Sequence, residues 1–344
     1  MKKSILLAAI AISSIACSDD DSTPMMQNPI DENPPVNTTV AKLVTTSNTT
    51  GKISYQDLTT NSLMYSSFTV NGTDNDGIFI DENSNEIILA SRTNNRLENY
   101  TNLEASLNSN SDNLMLANFS SNMDFTNPRE IAVSGDKVIV TQDQAAVNGN
   151  TNKLLVYQKT TTGFTLLNEY TVDFKLWGIH VEGNNLYAIA DLTSDLVYFA
   201  NFFNNASGSI LPTKRVTIEG LTRTHGITYS AMDDVMILTD VADAASATDG
   251  GIVVINDFSS VFGSTANMGT IAMNNQKRLY GPNSTLGNPV DVAYDYETQK
   301  IYVAERANGG GKVLSFSLPT SNGDMTPSTS RDEAGVAGIF LIRD

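Results

Sequence analysis

Acidic residues recur directly after short apolar runs in this sequence. Asp191 follows residues 187–190, Asp240 follows residues 236–239, and Glu305 follows residues 301–304. If these runs are strands that end on one side of the fold, the three carboxylates converge there, and several carboxylate oxygens in one place could hold a Ca²⁺ ion. The alternative is structural, because acids at strand ends also accept backbone hydrogen bonds and pair with arginines.

Residues at the starts of neighbouring strands provide further candidates. His225 stands before Gly226 and could act as a general base near pH 7 or as a metal ligand, or it could be a hydrogen-bonded structural residue. Trp177 stands before Gly178 and could stack on a sugar, or it could fill space between sheets. The full set of candidate ligand-binding residues is Arg92, Glu130, Trp177, His225, Asp291 and Arg306.

A repeated unit must position these side chains. The run at residues 301–305, IYVAE, has six copies in the chain, most of them about 45 to 50 residues apart, with a longer step before the last. The copies lie at residues 43–46, 87–91, 138–142, 187–191, 236–240 and 301–305.

Each copy has the same neighbours. A short apolar run precedes it, as at residues 77–80 and 226–229, and a third run follows, as at residues 96–100 and 312–318. A more polar fourth segment closes the unit, as at residues 164–172, 210–218 and 270–280, which suits an outermost strand. Four strands per repeat at this period predict an all-β fold, a six-bladed β-propeller with four antiparallel strands per blade.

The two ends of the repeat region complement each other. The first copy has no preceding strand, whereas the chain ends with a spare one at residues 338–342. We therefore expect the C-terminal strand to become the inner strand of the N-terminal blade, which closes the ring and removes its sheet edges.

Two sequence segments resemble the repeats of known families. NPVDVAYDYETQKIYVAERANGGGKVLSFSL and NPREIAVSGDKVIVTQDQ resemble the repeats of NHL-type and YVTN (lactonase-like) propellers. The resemblance spans about residues 41–344 and implies a propeller. Such families include binding scaffolds and metal-dependent hydrolases, so it implies no single activity.

The first forty residues have the features of an export signal. Lys2 and Lys3 precede an apolar run at residues 5–12 and the small residues of SIA, directly before Cys17. This resembles a bacterial lipobox and implies cleavage after residue 16 and a lipid on Cys17. The acidic residues 19–21 resemble the surface-export signal of Bacteroidetes lipoproteins. We predict a signal peptide at 1–16, an acidic, proline-rich tether at 17–40 and the propeller at 41–344.

Composition excludes several classes of protein. The 344 residues carry a net charge of −17, which disfavours binding to nucleic acid. The single cysteine allows no internal disulfide, and lipidation of Cys17 would remove it as a nucleophile. The sequence has no G-x-S-x-G, H-E-x-x-H, P-loop or dinucleotide motif.

Two functional hypotheses follow. The first is a monomeric, lipid-anchored, non-enzymatic scaffold on the outer membrane, exposed at the cell surface, that binds a protein, a glycan or a small molecule without a cofactor. The alternative is a lactonase- or esterase-like hydrolase that depends on Ca²⁺ or Zn²⁺. In that alternative Asp191, Asp240 and Glu305 hold the metal, and His225, Asp191 and Asp240 are the catalytic candidates.

Overall fold

The computed structural model describes residues 40–60, 63–81 and 84–343. The predicted signal peptide, Cys17 and almost all of the predicted tether lie outside these residues. Two helices, α1 (Leu103–Ser109) and α2 (Phe258–Ser264), occur among the described elements, and neither is long enough to cross a membrane. Short 3₁₀ turns lie at Ala146–Asn148, Phe202–Asn204, Met273–Asn275, Pro282–Ser284 and Asn308–Gly310.

Strands dominate the fold. In chain order they are β1 (Ala41–Ser47), β2 (Lys52–Asp57), β3 (Ser66–Thr69), β4 (Asn75–Asp81), β5 (Glu86–Ser91), β6 (Arg96–Thr101), β7 (Met115–Phe119), β8 (Pro128–Ser134), β9 (Lys137–Gln142), β10 (Asn152–Thr160), β11 (Gly163–Val172), β12 (Leu176–Glu182), β13 (Asn185–Ala190), β14 (Asp195–Phe199), β15 (Gly208–Ser209), β16 (Lys214–Ile218), β17 (Ile227–Ser230), β18 (Val235–Asp240), β19 (Gly251–Ile255), β20 (Thr270–Ile271), β21 (Lys277–Tyr280), β22 (Pro289–Asp295), β23 (Lys300–Glu305), β24 (Lys312–Ser317), β25 (Thr329–Asp332) and β26 (Val336–Arg343).

These strands form the six blades that the repeat predicts. From the channel outward, the blades are β26-β1-β2-β3, β4-β5-β6-β7, β8-β9-β10-β11, β12-β13-β14-β16, β17-β18-β19-β21 and β22-β23-β24-β25, numbered here as blades 1 to 6. Neighbouring strands within these four-stranded units are antiparallel. The all-β, six-bladed prediction is confirmed.

Ring closure also follows the prediction. β26 pairs antiparallel with β1, and Phe340 lies opposite Val44. The last strand of the chain is therefore the inner strand of the first blade.

One predicted strand divides differently. Only β21 forms the outer strand of blade 5, whereas the two residues of β20 pair in parallel with β16 of blade 4. β15 likewise adds to β11 of the preceding blade. Loops before outer strands therefore extend the neighbouring blade instead of their own.

The hydrophobic core lies between blades. Six clusters of buried side chains occur among the described residues, one at each interface between neighbouring blades. Middle strands such as β18 and β19 are buried along their whole length, because both faces of each blade are covered. The inner strands are then left to line the channel.

Candidate functional site

The inner strands of all six blades share one register around the channel. Ile78, Ile131, Ile179, Ile227, Val292 and Ile339 each pair with the second strand of their own blade, at corresponding positions. The residues directly before them form a ring of four glycines and two acids: Gly77, Glu130, Gly178, Gly226, Asp291 and Gly338. Blades 3 and 6, which carry the two acids, are opposite one another in a six-membered ring.

Glycine is required in this ring because neighbouring inner strands nearly touch. A Cβ on Gly178 would lie 2.2 Å from the carbonyl oxygen of His225, and a Cβ on Gly226 would lie 2.7 Å from the Cα of Asp291. Non-bonded contacts of this length do not occur between real atoms, so no other residue fits without moving a blade.

A cavity of about 230 Å³ lies on the upper side of this ring. We call it the upper cavity. Register shifts at the starts of several inner strands re-aim the residues there. Its walls are Asn48, Asp76, Arg129, Trp177, Arg223, His225, Ala244, Asn288, Val290, Arg306 and Ala337.

Trp177 is covered on both faces. The His225 ring stacks on it with centroids 3.6 Å apart and planes 4° apart, and the Arg129 guanidinium lies 4.1 Å from the ring centroid. Two groups this close cannot share one face, so they sandwich the indole. Only its edge is left for a ligand in this arrangement, which does not support the prediction that Trp177 stacks on a sugar.

Asp191 lies at the centre of a charged network behind His225. Its Oδ2 accepts from Lys175 Nζ at 2.6 Å, and its Oδ1 accepts from Arg223 Nε at 2.9 Å and contacts His225 Nε2 at 3.1 Å. Burial alone would raise the pKa of Asp191, but the hydrogen bonds from His225 and Arg223 outweigh it and hold that pKa far below its usual range. Asp191 is therefore ionised throughout the physiological range.

The same contact fixes the state of His225. Burial lowers its pKa to about 4, although Asp191 opposes that shift. The imidazole is then neutral at pH 7, and we assign its proton to Nε2 because an ionised carboxylate can only accept. Nδ1 is buried and has no hydrogen-bond partner among the described residues.

The other two predicted metal ligands are enclosed by donors. Asp240 accepts from the backbone N–H groups of Thr222, Arg223 and Ala242 and from the Tyr280 hydroxyl, at 2.9–3.1 Å. Glu305 accepts from four backbone N–H groups, those of Gly287, Asn288, Ala307 and Asn308.

Asp191, Asp240 and Glu305 thus hold loops in place, as the structural alternative expects. Within residues 40–60, 63–81 and 84–343 no group of three or more His, Cys, Asp or Glu side chains is arranged to hold a metal ion. The predicted metal set is not brought together.

Three arginines give the upper cavity a positive wall. Arg129 is shared between Asp76 and Asp143, at 3.4 and 3.3 Å, and Arg223 bonds to Asp191. Burial raises the pKa of Asp76 to about 6, although Arg129 opposes it. The Arg306 guanidinium makes no hydrogen bond or ion pair with any residue that the structure describes, and it lines the cavity.

The predicted ligand-binding residues divide into three groups. Trp177, His225 and Arg306 line the upper cavity. Glu130 and Asp291 lie in the ring of glycines and line a second cavity on its lower side. Arg92 lines neither, because it is held by Asp74 and Asn127.

The set of predicted ligand-binding residues leaves out several residues of the wall. Arg129 stands one residue before Glu130, the position that Trp177 and His225 occupy in their blades, so the repeat register places it at the channel although that set does not include it. Arg223 and Ala244 come from loops, and no repeat predicts where a loop residue lies.

The fold is shared with structures of widely different proteins. One component of a nidogen/laminin complex matches with a TM-score of 0.58 and 13% identity, over 88% of this chain and 98% of that one. A candidate 6-phosphogluconolactonase from Bacteroides fragilis matches with a TM-score of 0.57 and 10% identity, over 90% and 100% of the two chains. A second, from Bacteroides uniformis, gives 0.55 and 12%, over 86% and 83%.

At such low identity these similarities show the propeller fold alone. No family model matches the sequence. No curated protein matches it either.

Proposed function

We propose that this propeller binds a small anionic ligand, such as a sugar acid, in the upper cavity. The observation that carries the proposal is the unpaired Arg306 guanidinium on a wall that also holds Arg129 and Arg223. Arg306 is partly buried, and a cation withdrawn from water without a partner is costly. A carboxylate or phosphate would supply that partner through two parallel hydrogen bonds. The small volume fits a ligand of about the size of one sugar ring.

Local charge supports this over a cationic ligand. The chain as a whole is acidic, but the anions near the cavity already have cations: Asp191 has two, Lys175 and Arg223, and Asp76 shares Arg129 with Asp143. A cavity whose wall has an excess of one sign of charge concentrates ligands of the opposite sign. The indole edge and Asn288 add donors for hydroxyl groups.

Calorimetry with gluconate and glucose tests the proposal. Gluconate should bind and glucose should bind at least tenfold more weakly, because glucose lacks the carboxylate. Arg306→Ala should lower gluconate affinity at least tenfold, and Arg306→Lys should recover only part of it because lysine lacks the planar fork. The exposed Lys52 is the control, and Lys52→Ala should change nothing. Equal binding of the two sugars, or full affinity in Arg306→Ala, would refute an anion site.

A second candidate is hydrolysis of a lactone. The Asp191–His225 pair beside the arginines favours it, because a carboxylate-oriented imidazole with an unpartnered Nδ1 could take a proton from water. The resemblance to lactonase-like repeats and the two Bacteroides neighbours agree with this candidate. The low pKa of His225 makes it a weak base, so binding is the leading proposal.

Lactone turnover followed with and without a chelator distinguishes the versions of this candidate. Turnover that survives the chelator and is lost in His225→Gln supports the imidazole. Turnover that needs Ca²⁺ or Zn²⁺ would indicate a metal held by other residues, because Asp191, Asp240 and Glu305 are not brought together. Gluconate binding without any lactone turnover would support the binding function and refute the hydrolase.

We also propose that the propeller is exported and anchored by a lipid on Cys17, with residues 19–21 directing it to the cell surface. The motif at residues 14–17 supports this proposal. Cys17→Ser should release the protein from membranes. Alanine at residues 19–21 should protect it from protease added to intact cells, and unchanged protease sensitivity would refute the surface signal.

A further inference from the structure

The channel has a second cavity, on the lower side of the glycine ring, with a volume of about 390 Å³. We call it the lower cavity. All six inner strands contribute to it. Its walls include the aromatic side chains of Phe79, His180, Tyr229, Tyr294, Tyr296 and Phe340. The Phe79 and Phe340 rings contact each other with centroids 4.8 Å apart.

The roof of the lower cavity is a pair of carboxyl groups, Glu130 and Asp291. They come from opposite blades, and the glycines at the other four ring positions leave room for both. The two carboxyl groups are close enough to affect each other's ionisation, and we assign a proton to Glu130, because burial and the charge of Asp291 raise its pKa well above the usual value. Glu130 is partly accessible from the cavity, whereas Asp291 is buried and its second role is to accept from the backbone N–H groups of Val292 and Ile339.

The charges around the lower cavity are mostly negative. Glu182 lies on its wall, and the hydroxyls of Tyr229 and Tyr294 donate to Asp234 and Asp233. The one arginine on the wall, Arg343, is neutralised by Asp295 and Glu297 at 2.9 and 3.3 Å. No unpaired cation faces this space among the described residues, in contrast to Arg306 in the upper cavity.

We propose that the lower cavity is a second binding site, and that its ligand is a small organic ammonium ion with an aromatic or other apolar group. The ammonium would lie below Glu130 and Asp291 and replace the proton that they share. The apolar part would contact the phenylalanine and tyrosine rings, whose faces attract cations and whose edges fit other rings. The volume falls within the range of small-molecule sites.

The burial of the two carboxyl groups supports the proposal that the ammonium ion displaces a proton from them. Burial raises the pKa of both Glu130 and Asp291, and the charge of Asp76 from β4 above them adds to it. The charge of Asp291 raises the pKa of Glu130 further, whereas Glu130 lowers that of Asp291. Binding of an ammonium ion favours the ionised forms and should therefore release a proton at neutral pH. A neutral ligand has no such effect.

Three probes of one shape test this proposal by calorimetry on the purified protein: 2-phenylethylamine, 2-phenylethanol and 3-phenylpropanoate. The amine should bind at least tenfold more tightly than the alcohol, and the carboxylate should bind least. The amine's heat at pH 7 should differ between buffers of different ionisation enthalpy, because a proton is released. Equal affinities for amine and alcohol would overturn the proposal.

Variants locate the site. Glu130→Gln keeps the shape of the side chain and removes the exchangeable proton. The affinity for the amine should therefore fall at least fivefold, to about the affinity for the alcohol. Arg306→Ala, in the upper cavity, should leave amine affinity within twofold. An amine preference that persists in Glu130→Gln would refute the site. If that variant does not fold, the buffer dependence of the binding heat of the native protein tests the proposal, and a heat that is the same in all buffers would refute it. Neither result depends on whether gluconate binds above.

Discussion

The upper and lower cavities lie on the two sides of one ring of inner-strand residues, yet their walls have opposite character. The upper wall has Arg129, Arg223 and Arg306, whereas the lower wall has aromatic rings below two carboxyl groups. The difference begins within two or three residues of each inner strand. Neighbouring positions in one repeat can therefore give two cavities of opposite charge, because strand alternation and the register shifts send successive side chains to different places.

The largest expected effect comes from the ring that separates the cavities. Gly178→Ala should cost about 3 kcal/mol or more of unfolding free energy, since its Cβ would lie 2.2 Å from a backbone oxygen of the next blade. Thermal melting measures this. Gly263→Ala is the control, because no atom lies within 4 Å of its Cβ, and it should be neutral or slightly stabilising. A Gly178→Ala protein that melts like the native one would show that the ring is looser than the contacts indicate.

The next largest effect on stability is expected on the upper side of the glycine ring. Asp191→Asn removes the charge that Lys175 and Arg223 share and should destabilise the fold by about 2–3 kcal/mol, measured by urea unfolding. Asp332→Asn breaks an exposed pair with Lys312 and should change stability by less than about 0.5 kcal/mol. Similar losses in both variants would contradict a special role for the network behind His225.

The third effect belongs to the pair between the cavities. Glu130, Asp291 and Asp76 have raised pKa values, so the folded chain holds their protons more tightly than the unfolded chain. Their contribution to stability is full below about pH 4 and is lost as the pH rises through the folded pKa values, near 6 for Asp76. Glu130→Gln should therefore reduce the fall in unfolding free energy between pH 5 and pH 8 by about 1 kcal/mol. A pH profile identical to that of the native protein would contradict the shared proton.

The smallest effect on stability is expected at Arg306. Arg306→Ala should change the unfolding free energy by less than about 0.5 kcal/mol, because the guanidinium has no partner to lose among the described residues. Its effect on gluconate affinity should still be at least tenfold. A large loss of stability would show instead that Arg306 serves the fold, as Asp240 and Glu305 do.

Much of the architecture was predictable. The six copies, the polar outer segments and the spare strand at residues 338–342 led to the confirmed six-bladed ring. The prediction that residues 270–280 form one outer strand is wrong for a physical reason. β20 pairs with the preceding blade, and no local sequence pattern distinguishes a strand of its own blade from a strand added to the blade before it.

The candidate sites were less predictable. The carboxylates of Asp240 and Glu305 accept hydrogen bonds from backbone N–H groups in loops. The residue type alone does not reveal these bonds. Arg92 lies at the right position in its repeat but is held by Asp74 and Asn127.

By itself, the sequence determined the number of blades, the closure of the ring and which residues begin and end each inner strand, because these follow from apolar runs repeated at a fixed interval. Only the tertiary structure decided that Asp191 meets Arg223, 32 residues away, that Trp177 is enclosed between His225 and Arg129, and that Glu130 meets Asp291 across the channel. Each of these contacts joins different blades. Their existence depends on how closely the inner strands approach and on the shifts in register at their starts, which one strand considered alone does not specify.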